Sequence, residues 1–140
     1  MLRTCARVIG LAAMVTCLSL TAQAADSILT LACQGTVNIK AIGGSLPDYE
    51  PDPVSMGLIV NFTAQTVHGT ARWGPYLFDD QLQITESNEG TVVFEGFSQF
   101  LGMNISGSMD RVTGDVGMVA TAKGEAYDCS LKCRPTQRMF

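Results

Sequence analysis

The sequence predicts an all-β domain: an antiparallel meander of about eight short strands closed as a small barrel, with a two-sheet sandwich as the alternative. Three observations carry this. Apolar and polar residues alternate with a period of two along most of the chain beyond residue 27. Turn residues interrupt the alternation at short intervals. No segment there sustains apolar residues at three- and four-residue spacing, so helix signals are almost absent.

The elements follow in order. In ILTLACQGTVNIK (28–40), Leu29, Leu31, Cys33, Gly35, Val37 and Ile39 share one face. MGLIVNFT (56–63) turns Leu58, Val60 and Phe62 inward, and TVHGTARW (66–73) turns Val67, Gly69, Ala71 and Trp73. QLQIT (81–85) offers Leu82 and Ile84, and TVVFEGF (91–97) offers Val92 and Phe94. FLGMNISGSM (100–109) offers Leu101, Met103, Ile105, Gly107 and Met109. VGMVATA (116–122) and EAYDCSLKC (125–133) supply Val116, Met118, Ala120 and Ala122, then Tyr127, Cys129, Leu131 and Cys133. Asn88-Glu89-Gly90, Asp110 to Gly114 and Lys123-Gly124 read as hairpin turns. In the second of these, Asp110 can accept from the turn backbone and Gly114 can take a positive φ. AIGGSLPDYEPDPVS (41–55) reads as one long connection, broken by glycine and proline.

The ends bound the compartment. MLRTCAR carries Arg3 and Arg7 and no acid, VIGLAAMVTCLSL (8–20) is apolar, and Ala22-Gln23-Ala24 is a small-x-small site. Residues 1–24 therefore read as a signal peptide, and 25–140 as one exported, periplasmic or secreted domain. The apolar run is shorter than the roughly 20 residues of a stable membrane anchor. Residues 25–140 hold seven Lys and Arg against thirteen Asp and Glu, a net charge of −6. That balance argues against nucleic acid as a partner. The terminal Phe140 suits an outer-membrane barrel, but Pro135 interrupts the last strand. The predicted strands also fall short of the roughly 9–11 residues needed to span.

Cys33, Cys129 and Cys133 remain after the leader, and an exported chain is expected to form a disulfide. Strand parity puts all three on inward faces. Cys129 and Cys133 are four residues apart on one strand, about 13 Å and beyond disulfide reach. Cys33 can pair with either, joining the first strand to the last.

CQGTV in the first strand, GSMDRVTGDV and the closing LKCRPTQRMF resemble a group of small exported proteins of soil alphaproteobacteria, the bradyrhizobia and their relatives. Their closing segment reads L-x-C-K-P before a short basic, apolar end. The similarity spreads over most of residues 25–140 and rests on short motifs. It implies a bacterial periplasmic protein and carries no activity with it. It also implies that Cys133, the cysteine of the closing motif, pairs with Cys33, leaving Cys129 as a free thiol. Arg134 in place of lysine is a mild departure. Cys129 is a larger one, because a free thiol allows a dimer as well as a monomer.

No motif points to catalysis. His68, the single histidine, falls on a polar face between Thr66 and Thr70. There is no G-x-S-x-G, and the C-x-x-x-C spacing is neither a redox pair nor a zinc half-site. Asp48, Glu50 and Asp52, with Asp79 and Asp80 further on, lack cation-loop spacing and read as solvated loops. No cofactor or metal is expected. The best functional lead is the aromatic group Trp73, Tyr76 and Phe78 around Gly74-Pro75, with Phe97 and Phe100 near another turn. Aromatics at loops line ligand pockets or interfaces. The expected function is non-enzymatic binding of a small apolar ligand or a protein partner. The alternative is a periplasmic inhibitor of a secreted hydrolase, inserting the 41–55 loop.

Overall fold

In the computed structural model, residues 28–42, 50–73, 76–122 and 124–136 are described, without the side chains of Trp73 and Tyr76. The leader, Asp48 and Phe140 lie outside the described residues. Eight strands follow one another: β1 Ile28–Ala41, β2 Asp52–Asn61, β3 Thr66–Trp73, β4 Tyr76–Ser87, β5 Thr91–Ser98, β6 Met103–Asp110, β7 Asp115–Ala122 and β8 Glu125–Pro135. Each pairs antiparallel with the next, and β8 pairs with β1, so the sheet is a closed barrel and not a sandwich. Closure leaves no open edge, which removes the main aggregation hazard of a β-sheet.

The alternation becomes an inside and an outside. Leu58, Val60, Val67, Leu82, Val92, Phe94 and Val116 are almost wholly buried within the barrel. Gln34, Thr36, Thr70, Arg72, Gln83, Glu95, Ser106 and Lys132 are exposed outside. An apolar interior with a polar exterior is the inverse of a membrane-spanning barrel. Sidedness is therefore the stronger argument here, because β1, β2, β4 and β8, at 14, 10, 12 and 11 residues, do reach spanning length.

Two connections are shorter than the sequence suggests. β2 starts at Asp52, so residues 52–55 belong to the ladder and the 41–55 loop contracts to 42–51. The inward alternation of Val54 and Met56 continues that of Leu58 and explains the extension. Pro53 is tolerated because it faces Thr36 at the very start of the strand, before β3 joins on the other side. β4 starts at Tyr76, which places Phe78, Asp79 and Asp80 in a strand and not in a loop.

The two barrel ends differ. At one, three turns interlock. Asn88 Oδ1 accepts from the backbone N–H groups of Gly90 and Thr91. The Arg111 N–H donates to the Gly90 carbonyl and its guanidinium to the Asn88 carbonyl. The same guanidinium lies 4.8 Å from the Phe62 ring centre, a cation–π contact tying in the β2–β3 turn. Asp110 Oδ1 accepts from the N–H groups of Val112 and Thr113, which lowers its pKa below the ordinary value. That support is present above about pH 4 and fades as the pH falls through the lowered value. Gly114 takes φ 75° and hydrogen-bonds the Cys133 N–H, so close that a Cβ would strike the Cys133 carbonyl.

The seam between β1 and β8 carries the disulfide. Cys33 and Cys133 are register partners, with Cα atoms 4.0 Å apart, and their sulfurs are bonded. The bridge joins residues 100 apart in sequence. Such a loop is worth about 4–5 kcal/mol in the chain-entropy picture. The double variant Cys33→Ser/Cys133→Ser is expected to lose roughly 2–5 kcal/mol. Urea unfolding with and without reductant measures this: wild type under reductant should match the variant.

Candidate functional site

The end opposite the interlocked turns is hollow. It is formed by the last residues of β1, β3, β5 and β7 and the first of β2, β4, β6 and β8. The cavity there has a volume of about 600 Å³. Val37 and Ile39 of β1, Met56 of β2 and Ala71 of β3 line one side. Phe78 of β4 and Phe100 and Leu101 of the β5–β6 turn stand at the mouth. Met103 and Ile105 of β6, Met118 and Ala120 of β7, and Tyr127 and Cys129 of β8 complete the wall. No charged side chain is among these lining residues.

Small inward residues do not all contribute space. A Cβ on Gly69 would strike the Phe78 ring, and one on Gly107 would strike Phe94. One on Gly35 would strike the Ser130 carbonyl across the β1–β8 seam. Those glycines are already filled by rings or backbone. Ala71 and Ala120, by contrast, are among the residues that line the open volume.

One polar cluster faces inward beside the cavity. Ser98 is the single fully buried polar side chain among the described residues. Its hydroxyl donates to Asp80 Oδ2 at 2.5 Å and accepts from the Leu101 N–H at 3.0 Å. Gly102, at φ 65°, donates its N–H to the Ser98 carbonyl. The Asp80–Ser98 pair thus anchors the turn that carries Phe100 and Leu101 to the mouth. Asp79, one residue earlier, points outward to His68 Nε2 at 2.6 Å. The sequence reading grouped these two acids; strand parity sends them to opposite faces.

The predicted site residues are divided. Phe78 is half-buried and lines the cavity. Trp73 and Tyr76 form the last register pair of the β3–β4 ladder at the same end, and their side chains lie outside the described residues. Phe97 is exposed on the outer face, whereas Phe100 lines the mouth. Alternation in the sequence puts the inward residues of β6, β7 and β8 on the interior face, and the structure shows that several of them wall a cavity.

Cys129 also lines the cavity, opposite Val37 and Met118 in the ladders. It is unbridged and only 7% exposed. Its position four residues along from Cys133 leaves it no reach to Cys33, whose register partner is Cys133. Its sulfur faces the interior and not the outer surface. Burial, reinforced by the neighbouring Asp128, pushes its pKa up to about 11. The neutral thiol is a poor nucleophile, which speaks against a catalytic role. No group of three or more His, Cys, Asp or Glu able to hold a metal is present among the described residues.

Comparison of the chain with family models, curated proteins and solved structures finds no match.

Because the folded-state pKa of Cys129 is raised, its contribution to stability is complete below the unfolded thiol value. It is lost as the pH rises through about 11. Wild type should lose more stability than Cys129→Ala between about pH 8 and 11. Parallel thermal melts across that range measure the difference.

Proposed function

We propose that this is an exported, non-enzymatic binding protein that takes a small apolar ligand into the open half of its barrel. The observation that carries the reading is the contrast between the two halves of one lumen. Eight strands make a barrel whose interior is either filled by side chains or holds one small ligand. Here one half is filled and the other keeps about 600 Å³ walled by apolar side chains. That volume lies within the usual range for small-molecule sites, about 300–1,000 Å³. Met56, Met103 and Met118 give the wall adaptable thioether chains, which suit ligands of varied shape.

Filling the lumen tests this. Ala120→Phe would project a ring into the cavity from β7 without touching the interlocked turns. The variant should fold and lose binding of the uncharged fluorescent probe N-phenyl-1-naphthylamine by at least about tenfold, a difference of 1.4 kcal/mol. Leu77→Ala, on the outer face of β4, should bind as wild type does. Equal probe binding by Ala120→Phe and wild type would place the probe elsewhere and sink the proposal.

The exported address has two supports. The Cys33–Cys133 disulfide suits an oxidising compartment. Residues 1–24 have the pattern of a leader, and the resemblance to exported alphaproteobacterial proteins points the same way. N-terminal sequencing of protein recovered from the periplasm of an expressing bacterium should begin at Ala25. A start at Met1 would remove the address.

A further inference from the structure

We infer that the lumen selects uncharged ligands and rejects anionic ones, so that its natural class is a neutral, mainly hydrocarbon molecule whose polar part is no more than a hydroxyl, ester or similar group. This rests on the lumen being the binding site. It adds which apolar molecules are admitted.

Three features of the site argue for it. The described cavity wall carries no Lys, Arg or His, so a carboxylate or phosphate carried inside would meet no counter-charge. Burying an unpaired charge costs several kcal/mol even after relaxation. The inward polar cluster is itself acidic. Asp80 faces the same side as Leu82 and Ile84 and is held by the Ser98 hydroxyl with no cation between them. Asp80, half-buried and tied through Ser98 to the turn that carries the wall residue Leu101, thus adds an acid and no base next to the lining.

The mouth does not rescue an anion left at the surface. Glu50, Asp52, Glu125 and Asp128 lie at or near this end, with Asp79 held by His68 on the outer face, against the described bases Lys40 and Arg72 and against Lys123, which falls between β7 and β8 in the sequence. Lys40 is engaged with Asp128 at 2.8 Å. Tyr127, the one hydroxyl on the cavity wall, donates to Glu125 Oε2 at 2.7 Å, turning its polar end toward another carboxylate. An amphiphile that entered tail first would therefore leave its head in an acidic ring. A neutral head pays nothing there, and a hydroxyl can hydrogen-bond to the carboxylates. The raised pKa of Cys129 agrees, because the same wall disfavours the thiolate.

The experiment compares two ligands that differ only in the head group. Decan-1-ol and decanoic acid each displace N-phenyl-1-naphthylamine from the full mature protein, with its disulfide intact, at about pH 7.5, where the acid is ionised. The alcohol should compete at least about tenfold better, a difference of 1.4 kcal/mol. As the pH is lowered to about 5, a growing share of the acid becomes neutral, so its competition should strengthen while that of the alcohol stays level. Equal or better competition by the acid at the higher pH overturns charge selection and leaves lumen binding intact. Failure of both to displace a probe that Ala120→Phe abolishes overturns the inferred ligand class. Failure of wild type to bind the probe at all overturns the lumen reading with it.

Discussion

Everything in this fold depends on β1 meeting β8. The ladder between them runs from Leu31 opposite Pro135 to Ala41 opposite Glu125. Every other ladder joins neighbours in sequence and forms from a short hairpin or connection. This one brings together the two ends of the domain, and its entropic cost is the largest in the structure. Two local features make it possible. Gly35 lets the β1 backbone approach Ser130 more closely than any side chain would allow. Two residues away, the Cys33–Cys133 bond holds the strands in that register. A slip of one residue would turn Cys33 and the alternating apolar set outward, so the same bond also protects the inside-outside pattern.

Closure makes a lumen, and the turns decide which half of it is filled. The interlocked end gathers its side-chain to backbone bonds from Asn88, Asp110 and Arg111, and Gly114 ties its last turn to β8 beside the disulfide. Large residues reach the axis there: Leu58, Leu82 and Phe94 are among the most buried side chains. Toward the other end the inward positions include Ala71, Ala120 and flexible methionines. Cross-linked turns at one end and methionine-bearing walls at the other are what the proposed binding of a guest would call for.

The single inward polar device belongs to the mouth and not to the core. Ser98 joins Asp80 on β4 to the Leu101 amide in the β5–β6 turn. Both Ser98 bonds are spent on holding a loop whose side chains, Phe100 and Leu101, frame the entrance. A buried hydroxyl with all its partners present is a stable way to fix a turn, because breaking one bond would leave the other groups unsatisfied. The result places an acidic group next to the turn that frames the apolar chamber.

Much of the fold was legible in the sequence. The alternation located all eight strands and their inward faces, and Asp110 and Gly114 announced their turn from type and spacing alone. These are local properties, set by backbone sterics and the period of two. The misread stretches, 52–55 and 76–80, lie beside proline and glycine, where local signals for a turn outweighed a strand that only its partner could stabilise. The candidate site was far less legible. Asp79 and Asp80 looked like one acidic pair until the ladder with β3 set them on opposite faces. Gly69, Gly107 and Ala120 looked equally small, yet rings occupy the first two and empty space faces the third. Sequence alone determined the strands, their polarity and the closing cysteines as candidates. Only the tertiary structure decided which cysteine closes the barrel and which half stays hollow. Those outcomes depend on which residues meet across a lumen, and that is set by the register of eight strands together.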